Sequence, residues 1–84
     1  MEVNGNLKEH LFGIIENQLN DNDPPETKTT YNRLKNEGYN DTQAKAVIAQ
    51  CVAVEIFGVF KSDKPFDEVR YIKNLKRLPK EPIE

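Results

Sequence analysis

The sequence predicts an all-α protein, a small bundle of about four helices. Three observations lead there. Apolar residues recur at helical spacing, capping signals punctuate the segments, and residues 46–60 are apolar almost throughout over a length too great for one ordinary strand. The chain has 84 residues, enough for one domain, residues 1–84, with residues 79–84 read as a loose tail. A domain of this size buries only about 60–65% of the surface its unfolded chain exposes. Its expected stability is therefore modest.

The first helix is expected to begin at Asn6, where Asn6 and Glu9 are spaced for a reciprocal capping box. Leu7, Leu11, Ile14, Ile15 and Leu19 give it one apolar face, and Asn20-Asp21-Asn22-Asp23 stops it. The second starts with Asp23 as N-cap, Pro24 in the first helical position and Glu26 completing a box. It ends at Gly38, with Leu34 and Tyr39 placed to touch in a Schellman motif. Its apolar content is thin, mainly Tyr31 and Leu34, which suggests an outer helix.

The third helix, from about residue 41 to about residue 61, is the expected centre of the protein. Between Ala46 and Phe60 only Gln50, Glu55 and Gly58 are not apolar, and a helix apolar nearly all round must be buried nearly all round. Its β-branched residues argue for a strand. Its length, its four alanines (44, 46, 49 and 53) and the lack of an internal turn signal argue for a helix. The fourth helix follows Asp63-Lys64-Pro65, with Asp67 as N-cap and Phe66 and Tyr71 as a hydrophobic staple. Val69, Ile72 and Leu75 form its expected inner stripe, with Leu78 close by, before Pro79 ends it. Short connections predict antiparallel neighbours.

Composition narrows the function classes. The net charge of −2 gives no whole-protein attraction to nucleic acid or anionic lipid. The single cysteine, Cys51, rules out an internal disulfide. No cationic start with an apolar run opens the chain, and the apolar stretch of residues 46–60 is shorter than the ~20 residues a membrane-spanning helix needs. These features together suggest the cytoplasm and no membrane.

Few residues carry chemistry. His10 has no second histidine to join, and Cys51 sits among Gln50, Val52, Ala53 and Val54, with nothing to lower its pKa. Asp21 and Asp23 begin a calcium-loop pattern that fails where Gly and Glu are required, at Glu26 and Asn32. No cofactor or metal is expected. Glu55 is a carboxylate in an apolar helix, so it must be solvated, paired or protonated. It reads first as part of a narrow solvent face shared with Gln43, Gln50 and Lys61, and second as a functional acid.

Two surface features remain. Arg70, Lys73, Arg77 and Lys80 step by three, four and three along one face of the last helix, with Lys76 nearby. Such a face contacts phosphates or simply complements the helix dipole, and no aromatic residues interleave to stack on bases. Acids dominate residues 1–26 and bases dominate residues 61–80, so the first and last helices are expected to lie side by side or to meet across a dimer. The third helix carries more apolar surface than its thin neighbours can cover. Val52, Ile56, Val59 and Phe60 are the expected self-association residues.

From Leu11 to Leu78 the chain resembles a domain-of-unknown-function family of small all-helical bacterial proteins. The resemblance rests on Ile15-Glu16-Asn17-Gln18-Leu19, the Pro24 turn, Arg33-Leu34 before the Gly38 turn, and Phe66-Asp67 leading to Tyr71-Ile72. It implies a fold. Members carry histidines on the first and third helices, but the matching places near Phe12, Thr42 and Ala46 hold none, so no metal or acid–base role carries over. Leu34, Gly38-Tyr39, Ala44 and Ile48 are also spaced like the helix–loop–helix of a ubiquitin-associated domain. Glu37 stands where that family has an apolar binding residue, and the third helix is too long for it. The expected role is a non-enzymatic self-associating or protein-interaction domain, most simply a homodimer. A small enzyme using Glu55 is the alternative, and nucleic-acid contact through the basic face a further one.

Overall fold

A computed structural model describes residues 5–83, with side chains from residue 7 onward. It contains four helices in order: α1 (Gly5–Asp21), α2 (Pro25–Asn36), α3 (Asp41–Ser62) and α4 (Glu68–Arg77). The all-α bundle expected from the sequence is the fold observed. Gly5 and Asn6 already lie within α1, so the helix does not begin at Asn6 as expected from its spacing to Glu9; the Asn6 side chain lies outside the described residues.

The turns show why each helix stops where it does. At the end of α1, Asn22 takes a left-handed φ of 52°. The Asp23 N–H then reaches back to the Gln18 carbonyl at 3.0 Å, and the Asn22 N–H to Leu19 at 3.4 Å, the Schellman pattern. This commits the Asp23 backbone to closing α1. Asp23 is not the N-cap of α2. Pro24, in an extended conformation, holds that position, and its carbonyl accepts from the Thr27 N–H at 3.1 Å with no side-chain cap. The expected box through Glu26 therefore does not form.

The end of α2 follows the expectation closely. The Tyr39 N–H donates to the Leu34 carbonyl and the Gly38 N–H to Lys35, both at 3.1 Å. Gly38 has φ 104°, and a Cβ there would meet nothing within 4 Å. Gly38→Ala thus meets no clash and bears only the backbone cost of that conformation, about 1–2 kcal/mol. A melt followed by circular dichroism should fall by roughly 5–15 °C for a domain of this length. An unchanged Tm would show that the turn tolerates a side chain.

Helix α3 opens with a full capping box. The Gln43 N–H donates to Asn40 Oδ1 at 2.8 Å and the Asn40 N–H to Gln43 Oε1 at 2.9 Å. It is the hub, adjoining α1, α2 and α4. With 22 residues it is the one helix, among those described, long and apolar enough by length and composition to cross a membrane. Its extent is that expected from the sequence, about residues 41–61, but the membrane expectation weighed only the apolar run of residues 46–60. Here α3 sends Ala44, Ile48, Cys51 and Val52 into the core beside Leu11, Ile15, Leu34, Tyr71 and Leu75.

Helix α2 is less peripheral than its thin apolar content suggests. It touches all three other helices and buries Thr27 and Thr30 as well as Leu34. Buried threonine is tolerated because its hydroxyl is satisfied: Thr27 Oγ1 donates to Gln18 Oε1 at 2.7 Å. Helices α1 and α4 do not pack along one another, so their opposite charges are not neighbours within the chain. One acid of α1, Glu16, finds a base on α3 instead. Lys45 Nζ lies 2.7 Å from Glu16 and 3.3 Å from Asp41, and these acceptors raise its pKa above the ordinary lysine value despite part burial.

The ten residues of α4 are too few to hold a helix alone. The inner stripe is Tyr71, Asn74, Leu75 and Leu78, not Val69, which is 65% exposed. The helix is rotated so that Tyr71 enters the core, and the Phe66 ring meets it edge-on at 5.3 Å, as expected for the staple. Buried Asn74 exchanges two hydrogen bonds of 2.9 Å with the backbone of Ile83. The tail read as loose is thereby fastened to α4.

Candidate interaction surface on the third helix

Glu55 and Arg70, which the sequence places in separate readings, meet in the structure. Arg70 Nε donates to Glu55 Oε2 at 2.6 Å and Nη2 to Oε1 at 3.0 Å, a two-pronged pairing. Oε1 also accepts the Asp67 backbone N–H at 2.8 Å. The arrangement is a capping box with one part supplied from elsewhere. Asp67 caps the Arg70 N–H at 3.0 Å, and the carboxylate that such a box would draw from the third helical position comes from α3. Arg70 occupies that third position and grips the same carboxylate. Gly58 leaves room for it, since a Cβ there would lie 3.1 Å from Arg70 Nη2.

This corrects the solvent-face reading of Glu55. At about 100° per residue Glu55 lies roughly 140° around the helix from Gln50. It points inward, and its side chain has no solvent exposure. Nor does it serve the functional-acid reading. Both oxygens are occupied by donors, the nearby Cys51 is a buried thiol whose pKa burial and the Glu55 charge push up rather than down, and no group of three or more His, Cys, Asp or Glu residues able to hold a metal exists among those described.

The basic face is also corrected. Arg70 is spent on Glu55, and α4 ends at Arg77, so Lys80 lies in the turn beyond the helix, its N–H on the Arg77 carbonyl at 3.0 Å. Lys73 and Arg77 remain exposed on α4, beside a cleft of about 310 Å³ that also holds Asp67. A continuous cationic track free of acids is not present. At the other end of α4, Arg33 donates to the carbonyls of Leu75 at 3.1 Å and Leu78 at 2.9 Å. Carbonyls of a last turn lack the usual helical partner; that of Leu75 also accepts the Leu78 N–H, at 3.3 Å.

Cys51 is fully buried, and burial, followed by the nearby Glu55 charge, pushes its thiol up to about 12. That describes an inert thiol. His10 is exposed on α1.

Of the four residues expected to drive self-association, Val52 is completely buried and Ile56 half-buried, while Val59 is 37% and Phe60 81% exposed. Val52 faces the core with Ile48, so it is unavailable to a partner. The face of α3 that no other helix covers runs through Gln43, Ala46, Gln50, Ala53, Phe57 and Phe60, within a sector of about 100°. Phe57, 50% exposed, was missed in the sequence reading. The legible signal was polar: Gln43, Gln50 and Lys61 do share one side, and that side is this one.

Two grooves lie along this face. Near the C-terminal end, Gln50, Ala53, Val54, Phe57 and Lys61 join Glu81 and Pro82 of the fastened tail around about 680 Å³. Near the N-terminal end, Glu37, Gly38 and Tyr39 join Gln43, Ala46 and Val47 around about 390 Å³. No protein-family model, curated protein or solved structure matches the chain. The residues themselves carry the functional argument.

Proposed function

We propose that this protein is a non-enzymatic interaction domain that self-associates through the outward face of α3. One observation carries the reading: of the exposed large apolar side chains, which also include Val59, Phe66, Val69 and Ile83, Phe57 and Phe60 project together from the face of the central helix that no other helix covers. Exposed phenylalanines contribute little to a monomer and much to an interface. A second copy gives them cover without requiring any other partner. The reduced, buried Cys51 suits a cytoplasmic setting.

The test is absolute mass in solution, by light scattering on a sizing column at low and high salt. A dimer at both salts is expected for an apolar contact. A dimer lost at high salt would move the contact to the opposed charges of α1 and α4. A monomer up to high micromolar concentration would sink the self-association reading.

A further inference from the structure

Resting on that reading, we infer that the 390 Å³ groove at the N-terminal end of α3 is a receptor for the phenylalanines of a second copy, in an antiparallel two-fold pair of α3 helices. The face carries a projection at one end and a recess at the other. Ala46 in the recess and Phe57 are eleven residues apart, about 16 Å along the helix, and lie within about 20° of the same line. A two-fold axis near position 52, midway between Gln43 and Lys61, brings each Phe57 over the other copy's Ala46 and Val47 and each Phe60 about one turn further, beside the other copy's Gln43 at the end of the recess. Ala46 and Ala53 leave the backbones free to approach closely. The contact is isologous, so it closes on itself and stops at two copies.

Charge selects this direction over a parallel one. Lys61 lies at the C-terminal end of the face and Glu37 lines the recess at its N-terminal end. Antiparallel pairing sets each Lys61 beside the other copy's Glu37, and each Glu81 beside the positive end of the other α3. Parallel pairing sets Lys61 against Lys61 and leaves both recesses empty. Glu37 is otherwise engaged only by an exposed contact with Arg33 at 3.2 Å, which surface pairing makes easy to share.

The measurement is the dimer dissociation constant of the full chain, by sedimentation or dilution on the light-scattering column, for five proteins. These are the native chain, Phe60→Asp, Lys61→Glu, Glu37→Lys and the double variant Glu37→Lys/Lys61→Glu. Phe60 and Lys61 are exposed, so melts by circular dichroism should confirm that all five fold. Phe60→Asp is expected to weaken the dimer at least ~100-fold, each single charge reversal about tenfold, and the double reversal to restore it to within about threefold of the native value. A native dimer indifferent to Phe60→Asp would overturn the inference and leave self-association standing elsewhere. Single reversals that the double variant fails to rescue would overturn the antiparallel pairing. A monomeric native chain would overturn both the inference and the reading beneath it.

Discussion

Arg70→Ala is expected to cost about 2–3 kcal/mol and to lower the melting temperature by roughly 10–20 °C, a large share of the stability of so small a domain. Breaking a buried ion pair typically costs about 3–5 kcal/mol, but the Arg70 side chain is 35% exposed, so solvent recovers part of that loss. What remains is dominated by Glu55, whose buried carboxylate keeps the Asp67 N–H as a partner but loses both guanidinium contacts. Glu55→Gln should cost somewhat less, about 1–2 kcal/mol, because it leaves no buried charge behind and its amide oxygen still accepts from Asp67 N–H and Arg70 Nη2, although its NH2 then faces the Arg70 Nε–H where Oε2 accepted. Arg70→Lys should fall between, since one ammonium cannot make both contacts. Lys73→Ala, a neighbouring cation with no such partner, is the control and should stay within about 0.5 kcal/mol. Melts at neutral pH check the series. Equal effects at Arg70 and Lys73 would show that the pair does not hold α4 in place.

The second large effect is alkaline. Tyr71 is fully buried, its hydroxyl donating to Gln18 Oε1 at 2.7 Å and 3.3 Å from Thr27 Oγ1. Burial raises its phenol to about 12; the hydrogen bond with Thr27 lowers it by less, the nearby Cys51 raises it further, and the bond with Gln18 lowers it. Cys51 is raised likewise to about 12. Both groups hold their protons more tightly folded than unfolded. Their contribution is therefore complete below the unfolded values, about 9 for the thiol and about 10 for the phenol, and is lost as pH rises toward 12. Each group removes about 1.4 kcal/mol per pH unit across its own window. Urea midpoints should fall steeply above pH ~9.

Tyr71→Phe separates the two. At neutral pH it should cost about 1–2 kcal/mol, through the lost hydroxyl contacts. Above pH ~10 it should make the decline shallower, leaving the Cys51 part untouched. A decline of the same steepness in Tyr71→Phe would mean that the phenol ionises within the fold without penalty.

Local chemistry was legible in the sequence wherever one short segment decides the outcome. The Gly38 turn, the Asp67 cap and the Phe66–Tyr71 staple depend on residues within five positions of one another, and all three form. The Asp23 cap failed because α2 begins one residue later, with Pro24 as its N-cap, and the Asp23 N–H that a reciprocal box through Glu26 would use is bonded to the Gln18 carbonyl of α1. The stripe of α4 was misjudged because Val69 and Tyr71 are both plausible core residues, and only the space between α2 and α3 selects the tyrosine.

The sequence by itself determined that this protein is four helices around a long apolar one, because periodicity, caps and turn residues act over a single turn. It singled out Glu55 as a carboxylate that must be solvated, paired or protonated, with a place on a solvent face as the first reading. Only the tertiary structure decided that the partner is Arg70, fifteen residues away, that Val52 belongs to the core, and that Phe57 and Phe60 remain outside. The reason is common to all three. A helix apolar on nearly every side carries no direction of its own, so the three helices packed against it choose which face is buried and which is left for a partner.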